Sequence, residues 1–196
     1  ELGLSSAATV QLGHYYGFSV NVYGFSTNAH TLDAQNAFER GLNAAIPALA
    51  GADELSGIGE MEAGVMGSYA QMVLDNEFAG SVLRLRRGLS ADTAHLAVDI
   101  IANVMDGTRN FLGQRHTLNH LKAGELQLTK LAERNSWETW EDKLGRKGIV
   151  DHAVDEAERI LREHQVPPLE PQQEKELDRI MAAAEKEMIK PKQQIK

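Results

Sequence analysis

Two periods of apolar residues alternate along the first half of the chain. Ser5 and Ser6 stand where a cap would open a helical run to about Tyr16, and Gly17 is placed to end it, because glycine accepts the left-handed backbone of a helix C-terminus. Phe18, Val20 and Val22 then alternate with Ser19, Asn21 and Tyr23 ahead of Gly24, which predicts a strand over 18–23. Asp33 reads as the N-cap of a helix carrying Ala34, Phe38, Leu42, Ala45, Ile46 and Leu49 and ending at Gly51, with Pro47 restricting its last turn. A glycine-rich stretch over 55–59 reads as a second, weaker strand. A longer helical period follows over 66–87 through Tyr69, Met72, Val73, Phe78, Val82 and Leu83.

Strands separated by helices of this length pair in parallel through right-handed crossovers, and parallel strands are normally covered on both faces. Two such strands are marginal alone. The pattern therefore predicts either that further strands belong beside them, or that the strand assignments fail and the piece is all-helical. Farther on, only helical signals remain. Ser90 or Asp92 caps a run to about Val104 with Ala94, Ala97, Val98 and Ile101 on one face, and an Asp106-Gly-Thr loop leads into residues 111–121. Trp137 and Trp140 mark another helix; Val150, Val154, Ala157, Ile160 and Leu161 mark the next. Pro167-Pro168 break the chain before an amphipathic stripe of Leu177, Ile180, Met181, Ala184 and Met188, and residues 190–196 are expected to fray.

Charge separates the two parts. Residues 1–121 carry 12 acidic and 6 basic side chains, whereas 122–196 carry 16 and 14. The first part reads as buried on several sides and the second as solvated helices. Over 196 residues the chain is 42% hydrophobic and 24% charged, ordinary for a globular protein with a core. A net charge of -8 without a Lys/Arg stripe argues against nucleic acid as a partner. With no run of about 20 apolar residues and no basic-then-apolar leader, no membrane association is expected. The lack of cysteine removes disulfides, thiolate metal sites and thiol nucleophiles together, and fits a cytoplasmic location. The sequence opens on Glu1 rather than Met, so it is expected to be a piece of a longer protein.

Side chains with chemical potential gather in four places. The loop from Gly24 to Asp33 brings Thr27, Asn28 and His30 to the C-terminal end of the first strand, where α/β folds place ligands. Ser26, Thr27 and Asp33 have turn and helix caps as their plainer role. In the 57–64 stretch, Glu60 and Glu62 stand where phosphate would be repelled, and the Lys-Ser/Thr of a Walker motif is absent; the two acids suit a cationic ligand or proton transfer, or are simply exposed. Tyr15, Tyr16, Phe18, Tyr23 and Phe25 cluster in a chain only 6% aromatic. Most of these rings, Phe18 above all, are expected to pack, while Tyr23 and Phe25 at the strand's end are placed to meet a quaternary ammonium through their ring faces. Finally, His116 and His120 share one helix face at a metal-binding spacing. The Glu of His-Glu-x-x-His and a third ligand are both missing from that pattern, so no metal is expected and structural or substrate-facing roles are preferred.

Read in order, the string Ala-Thr-Val-Gln-Leu-Gly-His-Tyr-Tyr-Gly17, Gly24-x-x-Thr27-x-Ala-His-x-x-Asp33-Ala-Gln35, Ala48-Leu-Ala-Gly-Ala52, Ser68-Tyr69-x-Gln-x-Val-Leu-Asp75-Asn76-Glu77, Arg86-Arg-Gly88 and Phe111-Leu-Gly-x-x-His116-Thr117 resembles the trimethylamine methyltransferase family. The likeness runs from Leu2 to about Leu169. It implies an α/β fold, the C-terminal part of a (β/α)8 TIM barrel, with the last βα units in residues 1–110 and a helical C-terminal region in 111–196. It also implies transfer of a methyl group from a methylated or quaternary amine to the Co(I) of a corrinoid held by a separate protein, so that this chain binds no cofactor itself.

Members of that family that act on trimethylamine carry pyrrolysine in a barrel loop that would fall near residues 25–27. Only standard residues stand there, which favours the relatives that act on quaternary amines such as glycine betaine. The candidate substrate-binding residues on this reading are Tyr23, Phe25, Thr27, Asn28, His30, Glu60, Glu62, Arg115 and His116, with Asn28, Arg115 and His116 set to meet a substrate carboxylate. No catalytic residue is assigned. The expected partners are the amine, the corrinoid protein and, optionally, a second copy of the chain. A different class of function, a non-catalytic helical interaction or assembly module, is argued by the amphipathic C-terminal stretch and the low strand content. Parallel pairing of residues 18–24 and 54–59 discriminates between the two.

Overall fold

The computed structural model describes residues 1–188; the fraying expected over 190–196 lies outside the described residues. Helix α1 (Leu2–Tyr15) leads into strand β1 (Asn21–Tyr23), helix α2 (Ala34–Leu49) and strand β2 (Glu54–Ser56). The two strands pair in parallel, with Asn21 opposite Glu54, Val22 opposite Leu55 and Tyr23 opposite Ser56. The ladder runs one step further where the Phe25 N–H donates to the Ser56 carbonyl at 2.9 Å. This is the parallel pairing that a β-α-β reading requires, and it weighs against an all-helical module.

Several boundaries differ from the expected ones. Helix α1 starts at Leu2, and Ser5 does not cap it but donates its hydroxyl back to the Leu2 carbonyl at 2.9 Å. Strand β1 is shorter than 18–23. Val20 and Val22 fill a core with Val10 and Ala52, whereas Phe18 is 67% exposed, contrary to the packing expected of it. Its side chain precedes the paired segment, so no neighbouring strand covers it. Residues 66–87 are not one helix: Glu60–Met61 (β3) and Met66–Gly67 (β4) form an antiparallel hairpin around a 3₁₀ turn at Glu62–Gly64, and helix α3 (Tyr69–Arg87) begins only after Ser68. The Ser68 hydroxyl accepts from the Gln71 N–H at 3.2 Å, the N-cap that sets this start.

Helix α2 behaves as its sequence suggests. Asp33 Oδ1 accepts the Asn36 N–H at 3.1 Å, and Pro47 sits within the last turn. Small residues let α2 approach β1 and α3 closely: Ala44 and Ala48 pack with Phe25 and Val82 in one core cluster, with Leu55, Phe78 and Ala79 around it. At the other end of β1, Asp53 Oδ2 accepts both the Val20 N–H at 2.8 Å and a hydrogen bond with His14 Nε2 at 3.0 Å, tying α1 to the strands.

After α3 the regular elements among the described residues are helices, of 4 to 18 residues. The run expected from Asp92 to Val104 is divided into α4 (Thr93–Leu96) and α5 (Val98–Asp106) by Ala97, whose φ of 49° lies in the left-handed region. Helices α6 (Arg115–Lys122), α7 (Trp137–Asp142) and α8 (Ile149–Glu163) follow. Ala153 packs with Ala70 and Leu131 in a third core cluster. The described residues from Ile160 to Met188 form a separate unit containing α9 (Pro171–Met188), and none of them is buried. No helix among the described residues is long and apolar enough to cross a membrane.

Candidate functional site

The C-terminal ends of β1 and β2 are held by a buried polar lattice between α2 and α3. Each helix contributes two polar residues four apart, hence on one face: Asn36 and Arg40 from α2, Gln71 and Asp75 from α3. Arg40 Nη1 donates to Asp75 Oδ2 at 2.7 Å and to the Phe25 carbonyl at 2.7 Å, its Nε donates to Asn36 Oδ1 at 3.0 Å, and its Nη2 donates to the Glu60 carbonyl. Asp75 also accepts the Gly59 N–H at 2.7 Å and the Gln71 side-chain amide at 2.8 Å. Burial pushes the Asp75 carboxyl above its usual range, outweighing those donors, and pushes the Arg40 guanidinium below its own. A buried pair of this kind adds little net stability for its desolvation. What it does here is fix three backbone groups, at Phe25, Gly59 and Glu60, where the strands end.

Above this lattice the loop after β1 meets the β3–β4 hairpin. The Thr27 hydroxyl donates to Glu39 Oε2 at 2.7 Å and accepts the Ala29 N–H at 3.0 Å; the Asn28 N–H donates to the same Glu39 oxygen at 2.8 Å. The Thr27 hydroxyl, with help from the Asn28 N–H and the Gln35 side chain, holds the Glu39 carboxyl below its usual range. The hairpin docks by its own backbone, Glu62 N–H to Ala29 carbonyl at 3.2 Å and Ala63 N–H to Thr27 carbonyl at 2.9 Å. Three successive residues, Glu62, Ala63 and Gly64, take positive φ values of 50°, 53° and 89°, a strained turn that aims this edge at Tyr23. A Cβ on Gly64 would lie 3.2 Å from Tyr23 Oη and 3.3 Å from Glu60 Oε2, so the phenol and the carboxylate both approach one backbone position.

Glu60 Oε2 is buried and has no hydrogen-bond partner. Glu60 also lines a cavity of about 380 Å³ with Tyr69, Met72, Ile58, Gly59, Gly67 and Ser68. Tyr69 and Met72 escaped the sequence reading, which took them as helix-stripe residues; Tyr69 in fact opens α3 and is 65% exposed. Arg40 and Asp75 escaped it too, although the paired i, i+4 polar positions on two otherwise apolar helix faces were their signal.

The expected site residues thus fall into four groups. Tyr23 and Glu60 converge. Thr27, Asn28, His30 and Glu62 form the rim beside them, with His30 Nε2 3.4 Å from Glu62 Oε1, while Asn28 and Thr27 line a further cavity of about 540 Å³ with the start of α1. The Phe25 ring, 2% exposed, faces the core instead and offers the site only its carbonyl. Arg115 and His116 open α6, where the His116 Nε2 bonds the Ala94 carbonyl at 2.8 Å and its ring lies against His120; these contacts belong to the helical segment that follows α3.

The parallel β-α-β unit places polar and aromatic groups at the C-terminal ends of its strands, the place where α/β architectures carry ligands. The family model for trimethylamine methyltransferase (MTTB) matches residues 1–189, and the chain belongs to that family. It is 35% identical over 170 residues to trimethylamine methyltransferase MttB of Desulfitobacterium hafniense (strain DSM 10664 / DCB-2), covering 86% of this chain and 33% of that protein. It is 32% identical over 186 residues to the MttB of Methanosarcina barkeri, covering 95% and 37% respectively. With the glycine betaine methyltransferase of Desulfitobacterium hafniense (strain Y51) it shares 29% identity over 190 residues, 96% of this chain and 39% of the relative. The chain therefore spans little more than a third of the length of these relatives, which are themselves methyltransferases.

Proposed function

We propose that this chain is part of a corrinoid-dependent methyltransferase that takes its methyl group from a methylated or quaternary amine such as glycine betaine. In this reading residues 1–110 supply the last βα units of a (β/α)8 TIM barrel, and residues 111–196 form a helical region outside it. The observation that carries the proposal is the Tyr23–Glu60 pair at the strand ends. A quaternary ammonium has no N–H to donate, so it is recognised by field and surface rather than by hydrogen bonds. The half-exposed Tyr23 ring supplies surface, and the buried Glu60 carboxylate oxygen that makes no hydrogen bond supplies field.

The chemistry asks little of the protein beyond placement. A corrinoid carried by a separate protein would supply the Co(I) nucleophile that accepts the methyl group; as that carbon–cobalt bond forms, the methyl carbon–nitrogen bond of a quaternary amine breaks and its electron pair stays on nitrogen, which leaves as a tertiary amine. No proton need be delivered to that leaving group. Tyr23 and Glu60 would hold the cation, Asn28 and His30 in the loop after β1 would meet a substrate carboxylate, and the Arg40–Asp75 lattice keeps the strand ends from shifting. Tyr23 is 39% exposed while Glu60 Oε2 is buried, so the ring meets the cation and the carboxylate acts on it through its field; an exposed ring fits a nucleophile delivered by another protein.

Calorimetric titration of the full-length protein with a panel of betaines and methylamines, paired with methyl transfer to cob(I)alamin, tests the reading. Binding and transfer for at least one quaternary amine support it, and the loss of both across the panel rejects it. The 196 residues alone are expected to transfer no methyl group, because two parallel strands do not close a barrel around a substrate.

A further inference from the structure

We propose that His95, His120 and Glu125 form a binding site for one divalent transition-metal ion of the zinc class. One ligand atom from each lies within 4.8 Å of the others, and all three residues are half-buried. His95 Nε2 stands 3.7 Å from Glu125 Oε1, and the His95 and His120 rings meet edge to face with centroids 4.7 Å apart. Around a tetrahedral zinc with bonds of roughly 2 Å, ligand atoms lie about 3.3 Å apart, so only a small inward rotation of side chains separates this arrangement from a coordinated one.

The surroundings of each ligand are already built. The Asp92 carboxylate bonds His95 Nδ1 at 2.8 Å, leaving Nε2 to face the site, the carboxylate–histidine arrangement that orients metal-binding imidazoles. Arg84 and Arg87 hold the other Glu125 oxygen, Oε2, at 3.2 and 3.3 Å, so Oε1 remains for the ion. These two guanidiniums oppose a cation and fix Glu125 at the same time; two imidazoles must carry the affinity. His116 is not a ligand. Its Nε2 bonds the Ala94 carbonyl at 2.8 Å, and its ring packs on His120 with centroids 4.2 Å apart, which sets the His120 ring in place.

The i, i+4 histidine pair in the sequence thus supplies one ligand and its support. The partners come from residues 25 positions earlier in α4 and 5 positions later, beyond α6, which no local motif displays. Two nitrogens and one oxygen with a free fourth position select Zn²⁺ or Co²⁺ over Mg²⁺ and Ca²⁺, which demand more oxygens. The ion would be a clip: α4 and α6 contain no buried residue, and coordination would fasten both to the end of α3 through Glu125 and its two arginines.

Titration of the purified full-length protein with Zn²⁺ by calorimetry, and with Co²⁺ by visible absorption, tests the site. The expected result is one ion per chain, Co²⁺ bands of a four-coordinate nitrogen–oxygen environment, a Zn²⁺-dependent rise in Tm, and none of these with Mg²⁺. His95→Ala, His120→Ala and Glu125→Gln should each weaken Zn²⁺ binding at least about tenfold, and Asp92→Ala about 10- to 100-fold. His116→Ala should keep the one-to-one stoichiometry. Circular dichroism of each variant separates loss of ligand from loss of fold, and the Co²⁺ spectrum of the unaltered chain stands without any variant. Absence of stoichiometric binding to the unaltered chain, or equal binding by folded His95→Ala and His120→Ala variants, overturns the proposal.

Discussion

Arg40 Nη1 lies 2.7 Å from Asp75 Oδ2, and both side chains are essentially fully buried, at 1% and 0% exposure. The contact joins helices 35 residues apart in sequence, and the same guanidinium holds the carbonyls of Phe25 and Glu60. It is the point where α2, α3 and the ends of both parallel strands are fastened together.

Removing one member of this pair strands the other charge in the core. Asp75→Leu or Arg40→Met alone should destabilise the chain by about 3–5 kcal/mol, whereas the double variant should recover much of that loss. Urea denaturation of the four proteins as a double-mutant cycle measures it; additive losses would show that the two side chains act independently.

Glycine is needed for two separable reasons, and two variants distinguish them. Gly57 has φ of 98°, and a Cβ there would lie 2.8 Å from the Phe25 carbonyl oxygen; Gly17 has φ of 76° with nothing within 4 Å. Gly17→Ala should cost only the left-handed backbone penalty, about 1–2 kcal/mol. Gly57→Ala should cost clearly more, since it also displaces the carbonyl that Arg40 holds. Thermal unfolding of both variants checks the ordering.

The acid limb of stability follows from opposed carboxylates. Glu39 and Asp33 are held below their usual values, Glu39 chiefly by the Thr27 hydroxyl and Asp33 chiefly by the Asn36 N–H. Their stabilising contribution is present above the ordinary carboxylate values and is lost as pH falls through the lowered folded ones. Asp75 runs the other way: its folded value is raised, so protonation between the ordinary and the raised value favours the folded state. Glu39→Gln should lower stability near neutrality and make the acid limb shallower. An unchanged limb, measured by urea midpoints from neutral pH down through the carboxylate range, would remove Glu39 from the account.

How much of this was legible beforehand depends on whether the signal was local. The Asp33 cap follows from residues that are neighbours in sequence, and the parallel pairing of the two short strands is the one of two readings left open that the helix between them favoured. The β3–β4 hairpin was not legible, because Glu62 and Ala63 take positive φ values that their residue types disfavour, and Met66 continued an apolar period that in fact starts at Tyr69. Phe25 and Phe18 exchanged their expected roles, as the chain turns after Tyr23 and pairing starts only at Asn21. Long-range convergence leaves at most a local trace: an i, i+4 polar pair for Arg40, Asp75 and His120, and none for His95 and Glu125.

The strand-end site makes the central claim, and its charge can be removed without changing its shape. With the full-length protein, binding of glycine betaine and related quaternary amines should weaken in Tyr23→Leu by roughly 2- to 30-fold, the range of about 0.5–2 kcal/mol for one cation–ring contact. Glu60→Gln should raise KM for methyl transfer to cob(I)alamin while leaving the folded state intact by circular dichroism. Unchanged amine affinity and unchanged KM in both folded variants would contradict the account, because the cation would then be held somewhere other than between Tyr23 and Glu60.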